Sequence, residues 1–69
     1  MFKRIGQVEF SHHQVTLIES EAGWGSRVDE IIYFDTEQTA KAFVKEFNSY
    51  NTEAVAPDWY MVAEYKYIQ

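Results

Sequence analysis

Residues 35–50 read DTEQTAKAFVKEFNSY and carry the clearest structural signal in the chain. Apolar side chains recur there at steps of three and four residues, while the charged side chains lie off that stripe. Asp35 can cap the first turn, and Gln38 three residues later completes the spacing of a capping box. The stretch therefore predicts one amphipathic helix that packs its apolar stripe on a core. The stripe consists of Ala40, Phe43, Val44, Phe47 and Tyr50.

Upstream of this helix apolar residues alternate with polar ones, which is the period of a half-buried β-strand. Three such runs predict a three-stranded antiparallel meander. Gly23 and Gly25 supply the positive φ of a tight turn between the second run and the third. We expect Phe10, Val28 and Phe34 to face the core. The runs span residues 2–10, 14–20 and 27–34.

Residues 58–68 alternate again and predict a closing C-terminal strand. The predicted order is therefore β-β-β-α-β, an α+β fold in which the helix packs on one face of the sheet. A chain of 69 residues supports one small core, so we expect residues 1–69 to form a single domain. A sheet with one helix leaves its second face at least partly exposed to water.

That second face carries apolar side chains from two predicted strands, Ile31 and Tyr33 from the third and Tyr60 and Val62 from the last. A patch of this kind on an exposed face predicts a partner. The four residues are therefore candidates for a dimer face or for a ligand site. A nucleobase-stacking sheet is the weaker interpretation, since such sheets are rimmed by lysine and arginine and this face offers few of either.

Trp24 lies between two glycines at the expected hairpin tip, which is an unusual place for the largest side chain. Exposed aromatic residues in loops commonly anchor a partner, so Trp24 is a candidate contact residue. The alternative is that the loop folds back and Trp24 covers the core. The charged neighbours either form a rim suited to a basic protein surface or are ordinary solvated strand positions. These neighbours are Glu21, Arg27, Asp29 and Glu30.

The composition argues against several classes of function. With 11 acidic and 6 basic residues the net charge is −5, and the chain lacks the clustered cations that bind nucleic acid. There is no cysteine, and the adjacent His12 and His13 point to opposite faces of a strand, so we expect no metal site and no cofactor. No apolar run suits a signal peptide or a membrane span, which predicts a cytoplasmic protein. No nucleophile with a base and no phosphate loop is present, so we expect no enzyme.

Four segments of the C-terminal half carry a resemblance: YFDTE at residues 33–37, AKAFV at 40–44, FN at 47–48 and PDWYMVAEY at 57–65. Together they resemble small uncharacterised accessory proteins of tailed bacteriophages, over about half of the chain and not over residues 1–27. Proteins of that kind typically inhibit or redirect host machinery by binding. The resemblance therefore implies a phage-encoded inhibitor of a host defence, such as CRISPR or restriction, or of a host regulatory protein, acting in the host cytoplasm.

Three hypotheses about function follow. The first is a non-enzymatic binding protein that contacts a host protein through Trp24 and its acidic neighbours. The second is a nucleotide or small-ligand sponge, an oligomer whose interface is lined by Tyr33, Tyr60 and Arg27 and binds an aromatic anion. The third is a structural homo-oligomer, in the simplest case a homodimer, whose exposed sheet face serves assembly alone.

Overall fold

A computed structural model describes residues 4–21, 23, 25–50 and 59–69, which form one sheet and one helix. The elements are β1 (Gln7–Val8), β2 (His13–Glu21), β3 (Gly25–Phe34), α1 (Glu37–Tyr50) and β4 (Trp59–Tyr67). The predicted α+β class and the order β-β-β-α-β are confirmed, and α1 packs on one face of the sheet. Within the described residues no helix is long and apolar enough to cross a membrane.

Helix α1 begins one residue later than the capping pattern predicts. The hydroxyl of Thr36 accepts the backbone N–H of Thr39 at 3.1 Å, so Thr36 is the N-cap. Asp35, the predicted cap, instead accepts a hydrogen bond from the Thr39 hydroxyl at 3.0 Å. Glu37 follows in the first turn, where its charge favours the positive end of the helix dipole, and its carboxylate lies 2.8 Å from Lys41.

The core lies between α1 and the face of the sheet that α1 covers. The ring of Phe43 lies 5.3 Å from that of Phe34 and 5.6 Å from that of Phe47, so the helix and β3 meet through aromatic contacts. Burial of each such side chain stabilises the fold by about 1.5–3 kcal/mol. Tyr50, the last residue of the predicted stripe, is 66 % exposed, so the buried stripe ends at Phe47. The core residues are Val15, Leu17, Ile32, Phe34, Ala40, Phe43, Phe47 and Ala63.

The order of the strands in the sheet is β1-β3-β2-β4, and the described pairs are antiparallel. β2 and β3 form the predicted hairpin. A meander would place β1 beside β2, but β1 lies beside β3, so the prediction was wrong for the first strand. Gly6 turns the chain there with a φ of +88°, and its carbonyl accepts the N–H of Asp35 at 2.8 Å. Residues 9–12 then cross β3, and the Ser11 hydroxyl donates to the carbonyl of Phe34.

The face of the sheet opposite α1 is named the open face. Side chains alternate along a strand, so residues that flank the buried Val15, Leu17 and Ala63 point away from the helix. Directly paired residues of neighbouring strands share a face. The paired residues of the open face are Val8 of β1, Gln14, Thr16, Ile18 and Ser20 of β2, Ser26, Val28, Ile31 and Tyr33 of β3, and Tyr60, Val62, Glu64 and Lys66 of β4.

The outer edge of β4 is closed at its centre by a side chain of α1. The amide of Asn48 accepts the N–H of Ala63 at 2.7 Å and donates to the carbonyl of Ala63 at 3.0 Å. These are the two hydrogen bonds that a residue of a further strand would make. Unpaired edge groups are a template for pairing with other chains, so this contact, named the Asn48 clamp, protects the middle of β4.

Candidate functional site

The open face brings together the four residues that the sequence predicts as a dimer or ligand face. Ile31 and Tyr33 lie on β3, and Tyr60 and Val62 lie on β4, with β2 between the two strands. Ile31 is 49 % exposed, and the other three are half-buried. The structure thus places them on one continuous surface, and their role as a contact site stays a prediction.

A β-bulge at Asp29 enlarges this surface. Leu17 pairs with Glu30, whereas the next residue, Ile18, pairs with Val28, so Asp29 is an extra residue in β3. The bulge reverses the alternation of the preceding part of β3, and Val28, which we expected in the core, is 56 % exposed on the open face. Alternation cannot reveal an inserted residue, so the sequence gives no sign of this change. Val28 completes an apolar row across three strands, formed by Val28, Ile18 and Val62.

Phe10 lies at the other end of the open face, with its ring centroid 5.0 Å from that of Tyr33. It is 64 % exposed, so the prediction that Phe10 belongs to the core is wrong. The reason is that Phe10 belongs to the link that crosses β3, and not to a strand that faces α1. Phe10 therefore extends the apolar surface beyond Tyr33.

The open face carries little charge although the chain is acidic. Among its paired residues the charged ones are Glu64 and Lys66, which are neighbours on the same side of β4. Both are exposed, and their opposite charges balance. Association through this face would remove few charges from water, and burying a charge without a partner costs free energy. Depletion of charge at the centre of a patch is also typical of protein interfaces.

The residues predicted around the hairpin tip do not form one acidic rim. Trp24 lies outside the described residues. Glu21 and Asp29 are exposed, while the guanidinium of Arg27 lies 3.1 Å from the carboxylate of Glu19 on the helix side of the sheet. A groove of about 250 Å³ lies beside this ion pair. The groove is lined by Glu19, Glu21, Gly25, Ser26 and Arg27. Contact between these residues and a partner stays a prediction.

Glu30, the last residue of the predicted rim, forms a bidentate ion pair with Arg4. The two guanidinium nitrogens of Arg4 donate to the two carboxylate oxygens at 2.6 and 2.9 Å. These hydrogen bonds hold the pKa of Glu30 below its ordinary value and raise the pKa of Arg4. The pair fastens the segment before β1 to β3. Glu30 therefore has a structural partner within the chain.

A polar cluster that the sequence did not predict joins β2, β4 and α1. Nδ1 of His13 lies 2.9 Å from the hydroxyl of Tyr65, and Nζ of Lys41 lies 5.5 Å from the centroid of the Tyr65 ring. Desolvation and the nearby Glu37 carboxylate raise the pKa of Tyr65, and the hydrogen bond from Lys41 lowers the pKa of Glu37. His12 bonds separately to the carbonyl of Ile68 at 2.8 Å. The pairing of β2 with β4 and the packing of α1 on the sheet bring these groups together, and all three elements are apart in the sequence.

The described residues contain no group of three or more histidines or carboxylates that could hold a metal ion. The open face and the groove beside Arg27 are the two candidate contact surfaces in the described part of the chain. Comparison of the chain with protein-family models, with curated proteins and with solved structures finds no match.

Proposed function

We propose that this chain is a non-enzymatic binding protein that acts by protein–protein contact and that the open face is its main contact surface. The observation that carries the proposal is the apolar row of Val28, Ile18 and Val62, continued towards Ile31 and Tyr33. Single exposed apolar residues are normal on any protein, but contiguous apolar patches mark interaction sites.

The partner class in this proposal is a host protein. A phage-encoded inhibitor of a host defence or regulatory protein is the proposed context, and it rests on the resemblance of the C-terminal half alone. Glu21, at the end of β2, and Asp29, at the bulge of β3, are both exposed and would add acidic contacts for a basic partner surface, together with Trp24.

A structural homo-oligomer is the second candidate function, favoured by the near neutrality of the open face in an acidic chain. The small-ligand sponge has less support. Its three proposed lining residues do not lie on one side of the sheet, because Arg27 pairs with Glu19 on the helix side while Tyr33 and Tyr60 lie on the open face.

Capture of host proteins from a bacterial lysate tests the proposal. Val28→Glu places a charge in the apolar row, and we expect it to abolish capture. Ile5→Glu is the matched control, because Ile5 is an exposed aliphatic residue that lies against α1 and not on the open face. If Trp24→Ala loses capture while Val28→Glu retains it, the contact involves Trp24 and not the open face. Equal capture by wild type and all three variants would contradict the proposal.

A further inference from the structure

We propose that the partner binds by β-strand addition, in which an extended segment of the host protein pairs antiparallel with the outer edge of β3 at residues 25–28. The outer edge of β3 is the side that faces away from β2, and its part at residues 25–28 is named the free edge. This inference rests on the proposed function, because it specifies how the partner contacts the chain. Its basis is the direction of the backbone hydrogen-bonding groups, the protection of neighbouring edges and the side chains around the free edge.

The register of the sheet shows which backbone groups of β3 point outwards. In an antiparallel ladder, consecutive residues direct their N–H and C=O groups to opposite sides of the strand. The N–H of Asp35 donates to the carbonyl of Gly6, on the side of β1. The groups of Phe34 therefore point to β2, and those of Tyr33 point outwards to β1. His13, the partner of Phe34 on β2, points back to β3, and so do the other odd-numbered residues of β2.

The bulge at Asp29 interrupts this alternation on β3 but not on β2. Arg27 is opposite Glu19, an odd-numbered residue of β2, so the backbone groups of these two residues point to each other. The neighbours of Arg27 on β3, Ser26 and Val28, therefore direct their N–H and C=O groups outwards. The free edge thus presents two donors and two acceptors to a further strand.

In the described part of the chain, the end of the β3 edge and the middle of the β4 edge are already covered. The Asn48 clamp occupies the middle of β4. β1 pairs with the last two residues of β3, and Arg4 reaches Glu30 from the segment before β1. Because β1 has only two residues, the same edge already holds a short antiparallel strand. Residues 25–28 contain no proline or lysine, which commonly protect an edge from pairing.

The free edge is also open to solvent. The first five residues of β3 are exposed, whereas its buried residues, Ile32 and Phe34, lie in the second half of the strand. A Cβ placed on Gly25 would meet no atom within 4 Å. A partner strand can therefore reach the free edge without displacing any described part of the chain.

The side chains around the free edge specify the partner segment. Directly paired residues share a face, so an apolar partner residue opposite Val28 would continue the apolar row of the open face. Gly25 has no side chain and is opposite the exposed Glu21 of β2. A long basic side chain opposite Gly25 would cross it and reach the carboxylate of Glu21. The expected segment therefore has an apolar residue opposite Val28 and a basic residue three positions later.

Amide hydrogen exchange of the isotope-labelled chain, followed by NMR, tests the inference. The probe is the acetylated and amidated peptide TVTTKT, whose valine faces Val28 and whose lysine faces Gly25. In the free chain the N–H groups of Ser26 and Val28 should exchange fast and that of Arg27 slowly. At about 2 mM peptide and a dissociation constant on the order of 1 mM, exchange at Ser26 and Val28 should slow by about threefold.

Two controls separate strand addition from side-chain contact. The same peptide with N-methyl groups on its valine and on the threonine that faces Ser26 keeps its side chains but cannot donate to the free edge, so it should not slow exchange. Ser26→Pro removes one outward N–H, which an edge strand tolerates, and should abolish both the slowing at Val28 and the capture of the host protein. Ser26→Ala loses the 2.8 Å hydrogen bond between the hydroxyls of Ser26 and Ser20 but keeps the N–H, so it should retain both. Circular dichroism verifies that each variant is folded.

The inference is overturned if TVTTKT does not slow exchange at Ser26 and Val28, or if its methylated form slows exchange equally. Host capture that is lost in Val28→Glu but retained in Ser26→Pro also refutes strand addition, while it keeps the proposed contact through the open face. Slowing by TVTTKT and not by its methylated form supports strand addition at the free edge. If the wild type then captures no host protein, the host partner is refuted separately.

Discussion

Replacement of Asn48 by alanine tests the clamp on the edge of β4. The change removes the hydrogen bonds of 2.7 and 3.0 Å to the N–H and the carbonyl of Ala63. Each bond contributes about 0.5–1.5 kcal/mol, so their loss costs about 2 kcal/mol. Alanine is the better helix former by about 0.5 kcal/mol, which offsets part of that loss. We expect the free energy of unfolding to fall by about 1.5 kcal/mol.

That loss is large for a chain of this length. At about 0.05–0.15 kcal/mol per residue the whole fold is stable by roughly 3–10 kcal/mol. With a denaturant slope of about 1 kcal/mol per molar urea, the midpoint of unfolding should fall by roughly 1.5 M. Far-UV circular dichroism during urea titration measures this shift directly.

Two further variants make the result specific to the clamp. Ser49→Ala changes the next helical residue, whose hydroxyl donates only to the carbonyl of Glu46 among the described contacts, and should shift the midpoint little. Asn48→Asp keeps an acceptor for the N–H of Ala63 but loses the donor to its carbonyl, so it should be destabilising as well. If Asn48→Ala is as stable as Ser49→Ala, the clamp contributes nothing and the reasoning about the edge is wrong.

Three further predictions concern the core, the turn before β1 and the ion pair. Phe34→Ala empties a fully buried site and should cost about 3–5 kcal/mol, which leaves little folded protein by circular dichroism; a native-like spectrum and midpoint would contradict this. Gly6→Ala should lower the urea midpoint, because φ is +88° and a Cβ would lie 2.6 Å from Oδ1 of Asp35; an unchanged midpoint would refute that strain. Glu30→Gln should cost about 0.5 kcal/mol at neutral pH, since both partners are partly exposed. The folded-state pKa of Glu30 lies below its ordinary value of 4.5. The stabilisation by Arg4 is therefore fully present above pH 4.5 and is lost as the pH falls through the folded-state pKa. The urea midpoints of wild type and variant should converge in acid, and a difference that stays constant with pH would be inconsistent with the pair.

The candidate site was predictable in part. Ile31, Tyr33, Tyr60 and Val62 were assigned to one exposed face from alternation alone, and the structure places them there. For Ile31 and Tyr33 the assignment succeeded because they follow the bulge in β3, as do the buried Ile32 and Phe34 with which they alternate. For Tyr60 and Val62 it succeeded because β4 pairs regularly along its length. Val28 failed for the complementary reason, since it lies beyond the extra residue.

The polar contacts of the fold were not predictable. Asp35 and Thr36 are both good capping residues, and the choice between them depends on the approach of Gly6 to Asp35, which is a contact between distant parts of the chain. The pairing of Glu30 with Arg4 likewise depends on the turn that carries the N-terminal segment beside β3. Such contacts have no local signature, because any exposed carboxylate and any arginine are equally compatible with the pattern.

The types of the elements follow from local sequence, because side-chain periods of 3.6 and 2 are local properties of helices and strands and each buries one apolar side. Three features follow from tertiary contacts instead: which strand lies beside which, where β3 gains its extra residue, and how Asn48 closes the edge of β4. These features depend on hydrogen bonds between residues far apart in the chain, and the backbone groups that make them are the same in every residue.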